Sequence, residues 1–198
     1  MNTPPTDEKT RRTKIEVVAT SDELEVGILK AVGGDIVPEL IEVSESLADK
    51  FGPSAKLTEQ TIPKYFDYPN TFPFVARFQK EIIGYIIGVP LEQFRDDLWS
   101  QCDSNLGRGN TIYTYAFTLK KQFHGTGYAK VLKRVYFNWM RKRGVEFISG
   151  HVVEGKARRF NGRVEVLETF DNWHGTGTTF EYYRRPIQNP SRQSFPEN

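Results

Sequence analysis

The stretch TIYTYAFTLKKQFHGTGYAKVLKRVYFNWMRKRG, Thr111–Gly144, decides how this chain is read. Its first nine residues, Thr111–Leu119, are β-branched and aromatic and predict a strand. After the glycine-spaced tetrapeptide HGTG, His124–Gly127, the apolar residues Leu132, Val135, Tyr136, Trp139 and Met140 recur on one helical face. Arg141, Lys142 and Arg143 close that helix where cations favour its dipole, and Gly144 supplies the stop. A loop between a strand and a helix leaves backbone N–H groups unpaired at the positive end of the helix, which makes an anion site. Gly125 and Gly127 allow close backbone approach, and Lys120, Lys121, Lys130 and Lys133 are expected to add charge. The loop is not a P-loop, because no Gly-Lys-Ser/Thr follows it. It also lacks the three-glycine fingerprint of a dinucleotide site.

HGTG occurs again at His174–Gly177, but there it runs straight into TTFEYYRRPI. No helix follows, so this copy reads as a turn between strands. Elsewhere KIEVVAT and ELEVGILKAV predict strands, although the second can begin as a helix. Val37, Leu40, Ile41, Ser44, Leu47, Ala48 and Phe51 predict a helix bounded by Pro38 and Gly52. FPFVARFQ and EIIGYIIGV form a hairpin with Lys80 and Glu81 near its turn, and Leu91–Asn110 is irregular. VEFISGHVV is a further strand, KARRFNGRVEVLETF is expected to be helical despite Gly162, and TTFEYYRRPI closes the pattern as a strand. The fold class is mixed α/β over residues 14–187, with polar, mobile tails at 1–13 and 188–198.

Bulk composition narrows the function. A net charge of +2 does not argue for nucleic acid as a bulk partner. Cys102 is the single cysteine, which excludes an intrachain disulfide framework and a cysteine-rich zinc site and fits a cytoplasmic setting. The opening MNTPPTDEKTRRTK has no apolar core and is not read as a signal peptide. The longest apolar run, IIGYIIGVP, is too short to cross a bilayer, so no membrane partner is expected.

Gln122-Phe123-His124-Gly125-Thr126-Gly127 resembles the Gln/Arg-x-x-Gly-x-Gly/Ala signature of the GNAT N-acetyltransferases. The resemblance implies a GNAT fold, a mixed and mostly antiparallel central sheet flanked by helices, covering roughly residues 14–187. It implies acetyl-CoA as co-substrate, with its pyrophosphate on the loop amides and its pantetheine arm paired to the preceding strand. Phe117 and Leu119 on the strand, and Gln122, Phe123, His124, Gly125, Thr126, Gly127 and Tyr128 at the loop, inherit those roles. The family pattern in the next expected helix places Asn161 at the family's asparagine, adding it to the implied cofactor-binding residues, and Glu168 where a tyrosine often protonates the departing thiolate. The histone-acetylating branch carries a strand glutamate at the position of Thr111, so no base is carried over there.

Amine acetylation needs a neutral nucleophile. Neutralising a lysine of pKa about 10.4 at pH 7 costs roughly 4.6 kcal/mol, against about 1 kcal/mol for an α-amino group. Glu168, at the matched tyrosine position, is a candidate acid if burial raises it, and otherwise a solvated glutamate. Glu154, after the strand Val145–Val153, is a candidate base acting through water, and otherwise a loop carboxylate. Tyr115 and Tyr113 share a strand face and either line the acceptor site or pack. His151 can shuttle a proton or be hydrogen-bonded structure. Three scattered histidines and one cysteine give no metal constellation. The expected activity is acetyl transfer from acetyl-CoA to an amine, on a small molecule or protein, by direct attack on the thioester. The alternative is a catalytically silent GNAT-fold module that binds acyl-CoA or a partner. The acceptor and any homodimer stay open.

Overall fold

The computed structural model describes residues 12–187, so the expected mobile tails fall almost wholly outside the described residues. The described residues form eight strands: β1 Lys14–Ser21, β2 Leu24–Ala31, β3 Phe72–Phe78, β4 Glu81–Pro90, β5 Thr111–Leu119, β6 Phe147–Val153, β7 Glu165–Phe170 and β8 Phe180–Pro186. Three α-helices accompany them: α1 Val37–Phe51, α2 Ile62–Phe66 and α3 Tyr128–Arg141. The strand order is β1-β2-β3-β4-β5-β6-β8-β7. The ladders β1–β2, β2–β3, β3–β4, β6–β8 and β8–β7 are antiparallel, whereas β5 and β6 share a short parallel ladder, from Thr111 opposite Phe147 to Tyr113 opposite Ser149. The chain divides into two compact units, one running to Val89 and resuming over Tyr115–Tyr136, the other holding Pro90–Thr114 and Phe137 onward.

In the first unit, β1–β2 and β3–β4 are tight hairpins, and α1 and α2 lie in the connection from β2 to β3. The β3–β4 turn is Gln79-Lys80, both at positive φ (49° and 73°), which matches the twist that two-residue hairpins demand. Gly84 in β4 has no room for a side chain, since a Cβ there would lie 2.6 Å from Leu119 Cγ and 2.7 Å from Thr118 O. Helix α1 starts with Pro38 in its first turn and stops at Gly52, φ 83°. Its Glu39 accepts the Ile82 N–H at 2.6 Å, tying the helix to β4.

The firmest polar contact of this unit is at the end of β5. Lys120 is 3% exposed, and its ammonium donates to Glu42 of α1 at 2.8 Å and to Glu81 of β4 at 2.5 Å. Its backbone N–H donates to Ile83 O at 2.8 Å. Burial alone would lower the lysine's pKa, but the hydrogen bonds to the two carboxylates outweigh it and hold it above the ordinary value.

The second unit is built on an aromatic core. Trp99, Tyr113, His151, Trp173 and Tyr182 lie ring against ring, with His151 and Trp173 stacked at 3.9 Å. Tyr113 Oη and His151 Nδ1 are hydrogen-bonded at 2.9 Å. Burial, and then the proximity of His174, push the His151 pKa down to about 3. The ring is therefore neutral at pH 7, and its buried Nε2 has no hydrogen-bond partner among the described residues. Asp103, 2% exposed, anchors the irregular Leu91–Asn110 segment to β8 by accepting from Tyr182 Oη at 2.7 Å and from Arg184 Nη1.

One expected element is absent. The helix predicted over Lys156–Phe170 is a single 3-10 turn, Ala157–Arg159, followed by the strand β7. Ala157, Phe160, Val164, Leu167 and Phe170 fall at three- and four-residue spacing, which imitates a helical face. Gly162 sits at φ +85°, which breaks a helix, and β8 offers an antiparallel partner to Glu165–Phe170. Ladder pairing overrides helical propensity here. The second HGTG is the turn between β7 and β8, as expected.

Two expectations follow from these packings. Lys120→Met should lower stability by about 2 kcal/mol in urea unfolding at neutral pH, the scale of lost charged hydrogen bonds. Because the folded pKa is raised, that gap should hold below about pH 10 and close at higher pH. An unchanged stability would show that the two glutamates hold nothing. For His151 the folded pKa is depressed, so its contribution is complete above about pH 6.5 and is lost as pH falls toward about 3. Relative to His151→Phe, the wild type should lose up to about 1.4 kcal/mol per pH unit in that window. Parallel profiles of the two proteins would contradict a neutral buried imidazole.

Candidate functional site

The loop between β5 and α3 is shaped by a short chain of local hydrogen bonds. After the Lys120 clamp, Lys121–Phe123 form one 3-10 turn in which the Phe123 N–H donates to Lys120 O and the His124 N–H to Lys121 O, both at 3.0 Å. The His124 ring reaches back to Leu119 O through Nε2 at 3.0 Å, which requires that nitrogen to carry the proton. Thr126 Oγ1 donates to Phe123 O at 2.8 Å. Phe123 and Tyr128 pack on Phe78 with ring centroids 5.7 and 5.6 Å away. The loop is thus held on both flanks while its crest is exposed.

Gly125 and Gly127 take φ of 82° and 90°, and a Cβ at either would meet nothing within 4 Å. The glycines answer a backbone requirement and leave open space above the loop. Among the described residues, the N–H groups of Gly125, Thr126, Gly127 and Ala129 donate to no protein acceptor, whereas Lys130 and Val131 already donate to Gly127 O. These free donors sit at the positive end of the fourteen-residue helix α3. The cradle suits a phosphate or pyrophosphate and so fits a CoA diphosphate.

Two sequence assignments change. Lys120 is not available to an anion, because it is buried and ion-paired. His124 offers neither its amide nor its ring outward; both are engaged by carbonyls of the loop itself. Lys121 is exposed but paired with Asp49 at 2.7 Å. Lys130 and Gln122 are exposed beside the free amides. Upstream, Leu119 is buried and Phe117 half-buried on β5. Tyr115 is 39% exposed and stacks on Tyr65 of α2 at 4.7 Å and 22°.

Glu154, Asn161 and Glu168 belong to the second unit. Glu154 is exposed just past β6, with its N–H bonded to Thr179 O. Asn161 follows the 3-10 turn, and its carbonyl accepts from Arg185 at 2.7 Å. Glu168 lies on β7, not on a helix, so its alignment with the family tyrosine lapses with the helix that carried it. Its side chain is exposed and accepts from the Thr169 N–H, so the burial an acid role required is absent. Thr111, at the position of the missing glutamate, is buried and receives the Asn105 side-chain amide at 3.0 Å. Cys102 donates to Trp99 O, and burial followed by Asp103 pushes its thiol up, which disfavours a thiolate nucleophile. No group of metal-ligating side chains occurs among the described residues, and no helix there is long and apolar enough to cross a membrane. The sequence reading missed Asp103 altogether, since a lone aspartate in an irregular segment carries no pattern.

The chain is similar in fold to the ribosomal-protein-S18-alanine N-acetyltransferase of Escherichia coli, with a TM-score of 0.61 and 11% identity over 87% of this chain and 99% of that one. It is also similar to an aminoglycoside 6'-N-acetyltransferase solved with coenzyme A, with a TM-score of 0.58 and 9% identity over 83% and 97% of the two chains. At such identities the likeness speaks for the fold alone. No curated protein sequence matches significantly. The model of the acetyltransferase (GNAT) family matches residues 40–160, a span that runs from α1 through the amide-lined loop to the end of the 3-10 turn. With that span and this sheet, the chain belongs to the GNAT acetyltransferase family.

Proposed function

We propose that this protein transfers an acetyl group from acetyl-CoA to an amine by direct attack. The observation that carries the reading is the set of free amides at Gly125, Thr126, Gly127 and Ala129 on the positive end of α3. Those groups would hold the diphosphate, and the exposed Lys130 and Gln122 would add to it. The pantetheine arm would run along β5 past Leu119 and Phe117. The co-substrate supplies an activated thioester carbonyl.

The chemistry asked of the protein is then limited. The neutral amine forms the new C–N bond, the C–S bond breaks, and the sulfur takes up a proton as the amine nitrogen gives one up. Glu154, solvated after β6, is the proposed proton acceptor through water. Tyr115 is the proposed wall for the acceptor, because its exposed ring lies on the same strand as the arm-binding residues. Glu168 is not assigned the acid role, since nothing buries it. Proton return to sulfur can come from solvent. Cys102 plays no covalent part.

Gly127→Glu should abolish calorimetric binding of acetyl-CoA by placing bulk and negative charge among the free amides. Gly127→Ala, which shares the positive-φ strain without the charge, should weaken it far less. Equal losses in both would mean that backbone distortion, rather than an occupied cradle, is being measured. Incubation with acetyl-CoA and a panel of primary amines should release free CoA. Tight binding with no release from any amine would leave a silent acyl-CoA-binding module in place of an enzyme. Glu154→Gln should slow release at pH 7 by 10²–10⁴-fold, roughly the range for removing a positioned base. An unaltered rate would remove Glu154 from the mechanism.

A further inference from the structure

Charge is unevenly spread along this chain. Between Arg141 and Arg163 there are seven cations against two carboxylates, although the whole protein carries only +2. The low overall charge argues against a polyanionic partner only if the surplus is evenly distributed. Elsewhere several cations are matched by carboxylates. Lys30 lies beside Glu16, Lys56 beside Glu45, Arg77 beside Glu25 and Lys121 beside Asp49.

Two neighbouring arginines on β8 show the contrast most clearly. Arg184 is neutralised by Asp103 and Glu165. Arg185 has no carboxylate among the described residues. Its guanidinium rests between the rings of Phe137 and Phe160, 5.4 and 5.9 Å from their centroids, and Nη2 donates to Asn161 O at 2.7 Å. Its Nε is buried with no hydrogen-bond partner among the described residues. Burial lowers its pKa, Tyr183 offsets part of that, and repulsion from Arg141 lowers it further. Arg141 is itself held to this end of β8 by its bond to Ile187 O. A half-buried guanidinium beside a second one, with no counter-charge, is a costly arrangement that a bound anion would relieve.

The loop that Arg185 holds through Asn161 is the segment that forms no helix. Its Lys156, Arg158, Arg159 and Arg163 are all exposed, and none has a carboxylate partner among the described residues. They sit on the 3-10 turn Ala157–Arg159 and around the chain reversal at Gly162.

We infer that this arginine-rich surface of the second unit, centred on Arg185 and the Lys156–Arg163 loop, binds the phosphodiester backbone of a single-stranded nucleic acid. Arginine outnumbers lysine here, and the guanidinium fork matches phosphate oxygens in a bidentate manner that an ammonium does not. The exposed cations of the loop sit on a 3-10 turn and a chain reversal rather than along a helix, next to the antiparallel pair β7–β8. Recognition is therefore of phosphates along a flexible strand and carries no base sequence.

The test is fluorescence anisotropy of a labelled oligouridylate against the full-length protein. Engagement of four phosphates by Arg158, Arg159, Arg163 and Arg185 predicts affinity falling about 50-fold between about 50 and 200 mM salt. The triple variant Arg158→Ala/Arg159→Ala/Arg163→Ala should lose most of the affinity and flatten the salt dependence by about two units of slope. All three side chains are exposed, so its circular dichroism should match the wild type. Lys14→Ala/Lys30→Ala/Lys56→Ala removes the same charge elsewhere and should bind as the wild type does. No binding by the wild type, equal loss in the two triple variants, or equal affinity for an oligoglutamate of matched charge would each overturn the inference. The last result would assign the surface to acidic protein.

Discussion

The buried ammonium of Lys120 is the constraint on which the candidate site depends. It holds together the end of β5, the start of β4 and helix α1 through two carboxylates and one backbone bond. The loop begins at the next residue, so its 3-10 turn, the His124 ring contact and the onset of α3 are all referenced to a fixed point. A loop whose amides must present several donors to one ligand gains from such anchoring, because donors already in place need not be ordered on binding. The residues at the crest contribute no side-chain chemistry of their own. They leave space and unpaired N–H groups.

Much of this was legible in the sequence, for physical reasons. The strand Thr111–Leu119 and the helix after the loop have strong, opposite periodicities, and the glycines between them meet a real requirement for positive φ. Context alone separated the two HGTG copies, since one is followed by an amphipathic face and the other by β-branched residues. The Lys156–Phe170 segment was misread because its apolar spacing is ambiguous. Only the presence of β8 as a partner, a long-range fact, decides that Glu165–Phe170 is a strand. Glu168 fell with it. Lys120 looked like an anion ligand because the sequence shows a lysine beside a glycine loop and cannot show Glu42, 78 positions away, closing over it. Asp103 and Arg184 met across a similar separation and left no local trace.

The two compact units differ in how they treat polar groups. In the first, the buried cation is compensated and the open donors belong to the backbone. In the second, Asp103 satisfies Tyr182 and Arg184 in the interior, while Arg185 and the exposed loop carry charge that nothing in the described chain balances. Uncompensated donors occur in both, at the loop crest and around Arg185. Each set faces toward chemistry that the protein's own atoms do not supply.

The most direct measurement is a ¹H–¹⁵N spectrum of the protein titrated with CoA, followed at individual amides. The account predicts that Gly125, Thr126, Gly127 and Ala129 shift most, as free N–H groups acquire phosphate acceptors, while His124 and Phe123, already bonded within the loop, move little. Saturation with the largest shifts elsewhere, or no response at these four amides in a folded sample, would contradict the loop as the cofactor cradle.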